Sequence, residues 1–334
     1  MQRFDVRDGG AAHQRAIAAA VGALSRGTLV AVPTETVYGL AADATQAQAV
    51  AGIYAAKGRP SFNPLIAHVS GIDMAAAHGE LSPIAEQLVE SFWPGPLTLV
   101  VPRRANAAPG IAPIADLVTA GLETIALRMP ANAVTLEVIR RLGRPIAAPS
   151  ANRSGGISAT SADDVVAELG ASVAVVLDDG PSPVGVESTI LMLADGPPRL
   201  LRPGGVPRSA IEQVLGEPLT ETCGVVEDPE RPLAPGMLTS HYAPNARVRL
   251  DAKHVEAGEA FLGFGPGAPE GLDKAAARAN LSETGDIVEA ACNLFRLMRE
   301  LDRSGAAAIA VAPVRGGGLA EAIRDRLNRA AAPR

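Results

Sequence analysis

Between Glu217 and Pro244 the chain carries Pro218, Pro229, Pro232, Pro235 and Pro244 together with Gly224 and Gly236, and shows no sustained periodicity. Proline fixes φ and removes a backbone donor, so neither a long helix nor a central strand can run through such a stretch. The 334-residue chain is therefore expected to divide there, into a first domain over residues 1–216, a linker over 217–246 and a smaller domain over 247–334. Long unstructured segments within compact proteins are usually functional, which makes this linker a candidate active-site lid.

On both sides of the break, short apolar runs alternate with helical spacing. Ile17, Ala20, Val21 and Leu24 share one helical face that Gly27 closes, and residues 28–32 then read as a buried strand running into Pro33. Residues 46–57 have helical spacing through Val50, Ile53 and Tyr54, and a short strand follows at 65–69. Ser82 before Pro83 marks a helix start with Ile84, Leu88 and Phe92 on its inner face. Ser161 and Asp164 form a capping box before Val165, Val166 and Leu169. Further strands are expected at 97–101, 124–129, 145–148, 173–177, 188–193 and 199–201, with helices at 133–142 and 209–215. Beyond the linker the pattern gives strands at 248–250, 260–264 and 308–312 and helices at 287–301 and 319–330. Strands of mixed spacing with helices between them predict an α/β sheet rather than a sandwich or a bundle.

Composition narrows the function. A net charge of −6, a pI near 5.5 and 3% aromatic residues give neither global attraction to nucleic acid nor platforms for stacking bases. Cys223 and Cys292 are far apart and in no ligand spacing, as expected of reduced thiols in a cytoplasmic protein. Arg3, Asp5, Arg7 and Asp8 precede any apolar stretch, unlike a signal peptide, and no run approaches the ~20 apolar residues that span a bilayer.

Neither a Walker loop nor a dinucleotide fingerprint occurs, so any nucleotide must be held in another way. Lys57 and Arg59, one residue apart in a Gly-Pro turn, can face one concavity and meet polyphosphate oxygens; two solvated charges after a helix would look the same. Arg202, before Pro203-Gly204, is a third cation with the same two readings. Arg128 closes an apolar strand, where a buried cation needs an anionic partner, either a substrate carboxylate or phosphate or a structural Asp or Glu. Ser150 and Asn152 occupy a turn suited to a phosphate or an adenine edge, and Thr34, Thr36 and Ser188 either bind a ligand or cap local backbone. His68 lies in a short apolar strand without a ligating neighbour, so no protein-built metal cage is expected, and Mg²⁺ would enter with any nucleotide such as ATP that the site takes. Gly263-Phe264-Gly265-Pro266-Gly267 reads as a turn, because Pro266 lacks the N–H that a phosphate loop uses.

The order of these groups carries a resemblance. Pro33-Thr34-Glu35-Thr36-Val37-Tyr38-Gly39-Leu40, Lys57-Gly58-Arg59-Pro60, Asn63-Pro64-Leu65, Pro149-Ser150-Ala151-Asn152, Glu187-Ser188-Thr189 and Leu201-Arg202-Pro203-Gly204 together resemble the YrdC-like family of threonylcarbamoyl-AMP synthases. Pro235-Gly236-Met237 with His241-Tyr242-Ala243-Pro244 looks like the linker of its long, two-domain form. The resemblance implies a twisted mixed β-sheet domain with flanking helices and a smaller, Rossmann-like C-terminal α/β domain. It also implies synthesis of threonylcarbamoyl-adenylate from L-threonine, bicarbonate or CO₂, and ATP, with release of pyrophosphate. The product would serve t6A formation at tRNA position 37 through a separate transferase, which leaves direct tRNA contact weak or indirect. By position, Thr36, His68, Arg128, Ala148 and Ser188 would contact L-threonine, and Lys57, Arg59, Asn63, Thr124, Ser150, Asn152, Ser158 and Arg202 would line the ATP pocket, with Lys57 and Arg59 acting on the reacting phosphates. His241 and Tyr242 would be lid contacts.

One departure is visible: Leu238 and Thr239 stand where the family linker commonly has a Lys-Tyr pair. Two other readings keep the fold. One is the carbamoyl-transfer enzymes that process carbamoyl-adenylate, whose zinc-finger segments two cysteines cannot supply. The other is a non-catalytic RNA-binding or ribosome-maturation protein, against which the weak basic and aromatic content argues.

Overall fold

The computed structural model describes residues 1–104, 110–221, 232–237 and 240–333. Cys223, Leu238 and Thr239 lie outside the described residues. In chain order the first domain contains β1 (Gln2–Asp5), α1 (Ala11–Ser25), β2 (Val30–Val32), β3 (Gly39–Asp43), α2 (Ala47–Lys57), β4 (Ile66–His68), α3 (Ile72–Ala76), α4 (Pro83–Phe92) and β5 (Leu97–Pro102). It continues with α5 (Asp116–Thr119), β6 (Thr124–Arg128), α6 (Ala133–Leu142), β7 (Ile146–Ala147), α7 (Ala162–Leu169), β8 (Val175–Asp178), β9 (Thr189–Met192), β10 (Arg199–Arg202), α8 (Arg208–Leu215) and β11 (Thr220–Glu221), an edge strand that pairs with β10 although it lies within the stretch 217–246 expected as linker. The second contains β12 (Arg247–Arg249), β13 (Ala260–Gly263), β14 (Ala277–Asn280), α9 (Ile287–Asp302), β15 (Ala308–Val311) and α10 (Leu319–Ala331).

Eleven strands form one mixed sheet in the order β1-β8-β2-β3-β7-β4-β6-β5-β9-β10-β11, and four parallel strands form a second in the order β12-β15-β13-β14. Helix boundaries follow local chemistry. Ser82 accepts from the Ala85 amide at 3.3 Å, Asn132 caps α6 through the Thr135 amide, and Gly58, Gly143 and Gly216 end their helices with positive φ. The inner face of α4 differs from the expectation: Ala85, Leu88 and Val89 are buried, whereas Ile84 is 39% exposed. The helix turns its i, i+3 and i+4 stripe one residue further round than a reading anchored on Ile84 gives.

Register places the chemistry on one face of the large sheet. Ile66 pairs with Ala126 and His68 with Arg128 in the parallel β4–β6 ladder, Val100 pairs with Ala126 across β5, and Ile190 pairs with Arg202 across β10. Partners in register point to the same side. Ile66, Val100, Ala126, Ile190, Met192 and Leu201 make an apolar patch there, and Ala234 and Met237 of the linker pack directly on it.

Close backbone approach fixes where β10 leaves this face. A Cβ added at Gly204 would lie 2.4 Å from Glu187 O, Ser188 C and Thr189 N. Backbone cannot yield as a side-chain tip can, so Gly204→Ala is expected to cost about 3 kcal/mol, at the upper end of overpacking. Denaturant unfolding with an unchanged slope and a lower midpoint checks this, and a midpoint equal to the wild type would refute it.

Candidate active site

Eight segments converge on one small cavity. The turn after β2 supplies Thr36 and Val37, β4 supplies Ile66 and His68, and the end of β6 supplies Arg128. Residues 148–150 after β7, Glu187 and Ser188 before β9, and Arg202 at the end of β10 add the remaining sheet-side wall, with Arg59. Pro235, Gly236, His241 and Tyr242 of the linker close it. The turn is built by Thr34, whose hydroxyl lies 2.8 Å from Thr36 Oγ1, donates to Val37 O and accepts from the Thr36 and Val37 amides. Thr34 is thereby spent on backbone, and Thr36 is presented to the cavity.

All five residues expected on threonine (Thr36, His68, Arg128, Ala148 and Ser188) line this cavity, as do both linker residues. The set expected on ATP divides. Arg59, Ser150 and Arg202 line the wall, while Lys57, Asn63, Asn152 and Ser158 stand behind it. Lys57 and Arg59 do not share one concavity, because α2 ends at Lys57 and Gly58 turns the chain through φ 60°. Lys57 Nζ instead donates to Ser150 O at 2.6 Å and to Asn152 O, tying down the turn that carries Ser150. Thr124 is not brought to the cavity. It shares the face of Arg128 but lies four residues back along β6, opposite Pro102, roughly 13 Å away at ~3.3 Å per residue. The apolar patch covered by Ala234 and Met237 is the surface beside it.

Arg128 has a carboxylate within the chain: Nη2 donates to Glu35 Oε1 at 2.5 Å and Nε to Gly95 O at 3.2 Å. Glu35 accepts in turn from the Ala131 amide at 3.0 Å. Sequence spacing left this partner open between a substrate and an acidic side chain. The protein supplies the acid, and Nη1 makes no hydrogen bond among the described residues. Arg59 and Arg202 differ, since both are buried and neither meets a carboxylate among the described residues. Arg59 donates to Asn63 Oδ1 at 2.6 Å and Pro64 O at 2.8 Å; Arg202 donates to Ser188 O at 3.0 Å and to Pro235 O of the linker at 3.2 Å. Buried cations satisfied only by neutral oxygens favour an incoming anion.

Burial sets the protonation states. It pulls the Lys57 ammonium down to about 7, with Arg59 adding to the effect, and lowers His68 to about 3, with Arg128 adding. His68 is therefore neutral near pH 7. Its Nδ1 faces Ile66 O at 3.3 Å and must donate there, which leaves Nε2 as an acceptor. Burial opposes the charge on Glu187, but Arg326, Arg202 and the Ser158 hydroxyl overcome it and hold the carboxyl at about 2. Asn63 Nδ2, Asn152 Oδ1, His241 Nδ1 and Tyr242 OH are buried without a hydrogen-bond partner among the described residues.

The cavity measures only about 40 Å³. That is room for roughly three waters at ~10–15 Å³ each and far below the ~300–1,000 Å³ of ligand pockets. Pro235, Gly236, His241 and Tyr242 of the linker form one side of the cavity.

Comparison with known proteins agrees with this geometry. Residues 22–204 match the domain family described as "Telomere recombination", of the Sua5–YciO–YrdC group, and residues 206–332 match "Threonylcarbamoyl-AMP synthase, C-terminal domain". The threonylcarbamoyl-AMP synthase of Pyrococcus abyssi is 40% identical over 328 residues, covering 93% of this chain and 92% of that protein. The chain belongs to the threonylcarbamoyl-AMP synthase family. The Bacillus subtilis synthase is 45% identical over 247 residues, 74% of this chain and 69% of its own length. The crystal structure of P. abyssi Sua5 complexed with L-threonine superposes with a TM-score of 0.86 at 37% identity, covering 99% of this chain and 98% of that one. The two-domain synthase architecture, a large mixed sheet plus a smaller parallel one, is thus common to both.

Glu35 and Glu187 were quoted in the sequence motifs without a role. The signal for Glu35 was Arg128 itself, a cation in an apolar strand that needs an anion. Nothing local signalled Glu187, whose partner lies 139 residues away.

Proposed function

We propose that the chain catalyses ATP-dependent synthesis of L-threonylcarbamoyladenylate from L-threonine and bicarbonate or CO₂, releasing pyrophosphate, in the cytoplasm and in the service of t6A37 formation in tRNA. The observation that carries this reading is the convergence of Thr36, His68, Arg128, Ala148 and Ser188 on one cavity, in a fold shared end to end with a threonine-bound relative.

Arg128 meets the threonine carboxylate through Nη1, while Glu35 fixes its guanidinium plane. Neutral His68 and the Thr36 and Ser188 hydroxyls orient the hydroxyl and amine; a histidine held near 3 is too weak a base to deprotonate an ammonium, so His68 positions rather than titrates. The neutral amine adds to CO₂ and loses a proton, giving a carbamate. A carbamate oxygen then attacks the α-phosphorus as the bond to the bridging oxygen of pyrophosphate breaks. Arg59 and Arg202 at the wall neutralise the phosphates, with the charge of Lys57 acting from behind the Ser150 turn, and alignment rather than a protein nucleophile does the work. Mg²⁺ would enter as part of the nucleotide substrate, since that ion prefers substrate phosphates plus one or two carboxylates or waters. No helix among the described residues is long and apolar enough to cross a membrane. A separate transferase would carry the product to tRNA.

ATP cannot enter the cavity while Ala234 and Met237 cover the patch beside Thr124, so the linker must lift to admit it. The test is pyrophosphate release with L-threonine and bicarbonate each present or omitted, and serine as a near-miss. Release requiring both is expected; release indifferent to threonine would overturn the assignment.

A further inference from the structure

The last helix of the C-terminal domain reaches the back of the substrate cavity. Arg326 on α10 is completely buried; its Nε donates to Glu187 Oε2 at 2.8 Å, and its Nη1 to Pro203 O at 2.9 Å and to Asp325 at 2.6 Å. The other Glu187 oxygen accepts from Ser158 at 2.5 Å. The same guanidinium lies over the Tyr242 ring, 5.2 Å from its centroid, and Tyr242 stacks on Phe295 of α9 at 5.5 Å. Glu187 and Tyr242 are both cavity wall, one on the sheet side and one on the linker side. One buried cation thus grips the two sides together.

We propose that Arg326 is a positioning residue for the substrate site, through which the C-terminal domain holds the linker closed over the cavity. Only arginine suits the position, because a planar fork meets carboxylate, carbonyl and aromatic face at once, where an ammonium offers a point charge. A buried ion network is weak evidence of stabilisation, since apolar packing of equal volume often does as well. The linker, moreover, is held against a local cost. Tyr242 is a non-glycine residue at φ 62°, kept there by Phe295 and Arg326 and by two amide bonds, His241 N to Arg329 O at 3.2 Å and Ala243 N to Gly155 O at 2.9 Å. Three of those four anchors come from the C-terminal domain.

The kinetic part of the test rests on the proposed reaction; the exchange part does not. Arg326→Lys and Arg326→Gln are to be compared with the wild type for hydrogen exchange at the His241 and Ala243 amides, with the Leu99 amide of β5 as an internal reference. Both variants are expected to speed exchange at the two linker amides by at least about tenfold while Leu99 is unchanged, and to shift KM for threonine more than kcat, because the share of molecules with the linker closed over the cavity changes. The two variants separate in their pH profiles. Glu187 is faced by Arg326 from α10, Arg202 from β10, Lys57 from α2, Ser158, and His241 and Tyr242 from the linker. Without the Arg326 charge its carboxyl rises, so Arg326→Gln gains an acid limb that the wild type and Arg326→Lys lack. Linker and reference amides accelerating in parallel, or linker exchange and KM equal to the wild type, would overturn the proposal. If wild-type protein releases no pyrophosphate, the functional reading falls, and linker exchange still decides the role of Arg326.

Discussion

Arg128→Ala is expected to lower kcat/KM for L-threonine by about 10²–10³-fold, corresponding to ~3–4 kcal/mol, the range measured when one partner of a buried, hydrogen-bonded charge pair is truncated. Two losses combine in that figure. The substrate carboxylate loses its cation, and Glu35, fixed by the Ala131 amide, keeps a buried charge with no guanidinium beside it. The second loss is structural and can be subtracted. Arg128→Met with Glu35→Gln removes both charges, so it should recover stability in a denaturant titration without recovering threonine use. Arg128→Lys should recover little of either, because an ammonium cannot reach Glu35, Gly95 O and a ligand from one plane. KM for ATP should move far less than KM for threonine. An equal rise in both would place Arg128 on the nucleotide and sink the assignment.

How much of this was legible beforehand depended on distance along the chain. Helices α1, α2, α6, α9 and α10 were readable from apolar spacing, and Gly58, Gly143 and Asn132 cap α2 and α6 within one turn of the residues they terminate. Strand β3 was not, since Gly39-Leu40-Ala41-Ala42-Asp43 has little intrinsic β-propensity and becomes a strand only because β2 and β7 pair with its two sides. Strand β1 is mostly exposed and owes its form to the parallel ladder with β8, more than 170 residues on. Much of the cavity wall was readable because His68, Arg128, Ser150 and Arg202 stand at or just past the end of an apolar run, where a strand leaves the sheet. What spacing could not resolve was direction. Lys57 and Arg59 look like a pair in the sequence, yet an αL glycine lies between them, and Lys57 is bonded to the Ser150 turn while Arg59 is bonded to Asn63 and Pro64 and reaches the cavity. The linker's covering of the Thr124 side, and the insertion of Arg326 behind Glu187, depend on domain packing that no local pattern encodes.

That separation gives Lys57 a second expected behaviour, linked to protons. Burial and then Arg59 hold its ammonium near 7, so at pH 8 the unliganded protein carries a mostly neutral amine. A polyphosphate beside it favours the charged form, and ATP binding should then take up close to one proton, about 0.9 at pH 8 and about 0.1 at pH 6. Calorimetry of ATP binding in two buffers of different ionisation enthalpy reads this number directly. The same group shapes stability with the opposite sign to a salt-bridged lysine. Its folded pKa lies below the unfolded 10.5, so between about 7 and 10.5 the unfolded chain binds more protons and stability rises with pH. Lys57→Met should abolish the proton uptake, flatten that part of the stability curve and reduce kcat/KM for ATP by about 10²-fold, near the ~2.7 kcal/mol of a lost charge-assisted contact in the transition state. Uptake that persists in Lys57→Met would assign the proton to another group. Loss of turnover without any proton uptake in the wild type would leave Lys57 as a prop for the Ser150 turn, bonded to Ser150 O and Asn152 O in the presence of nucleotide as in its absence.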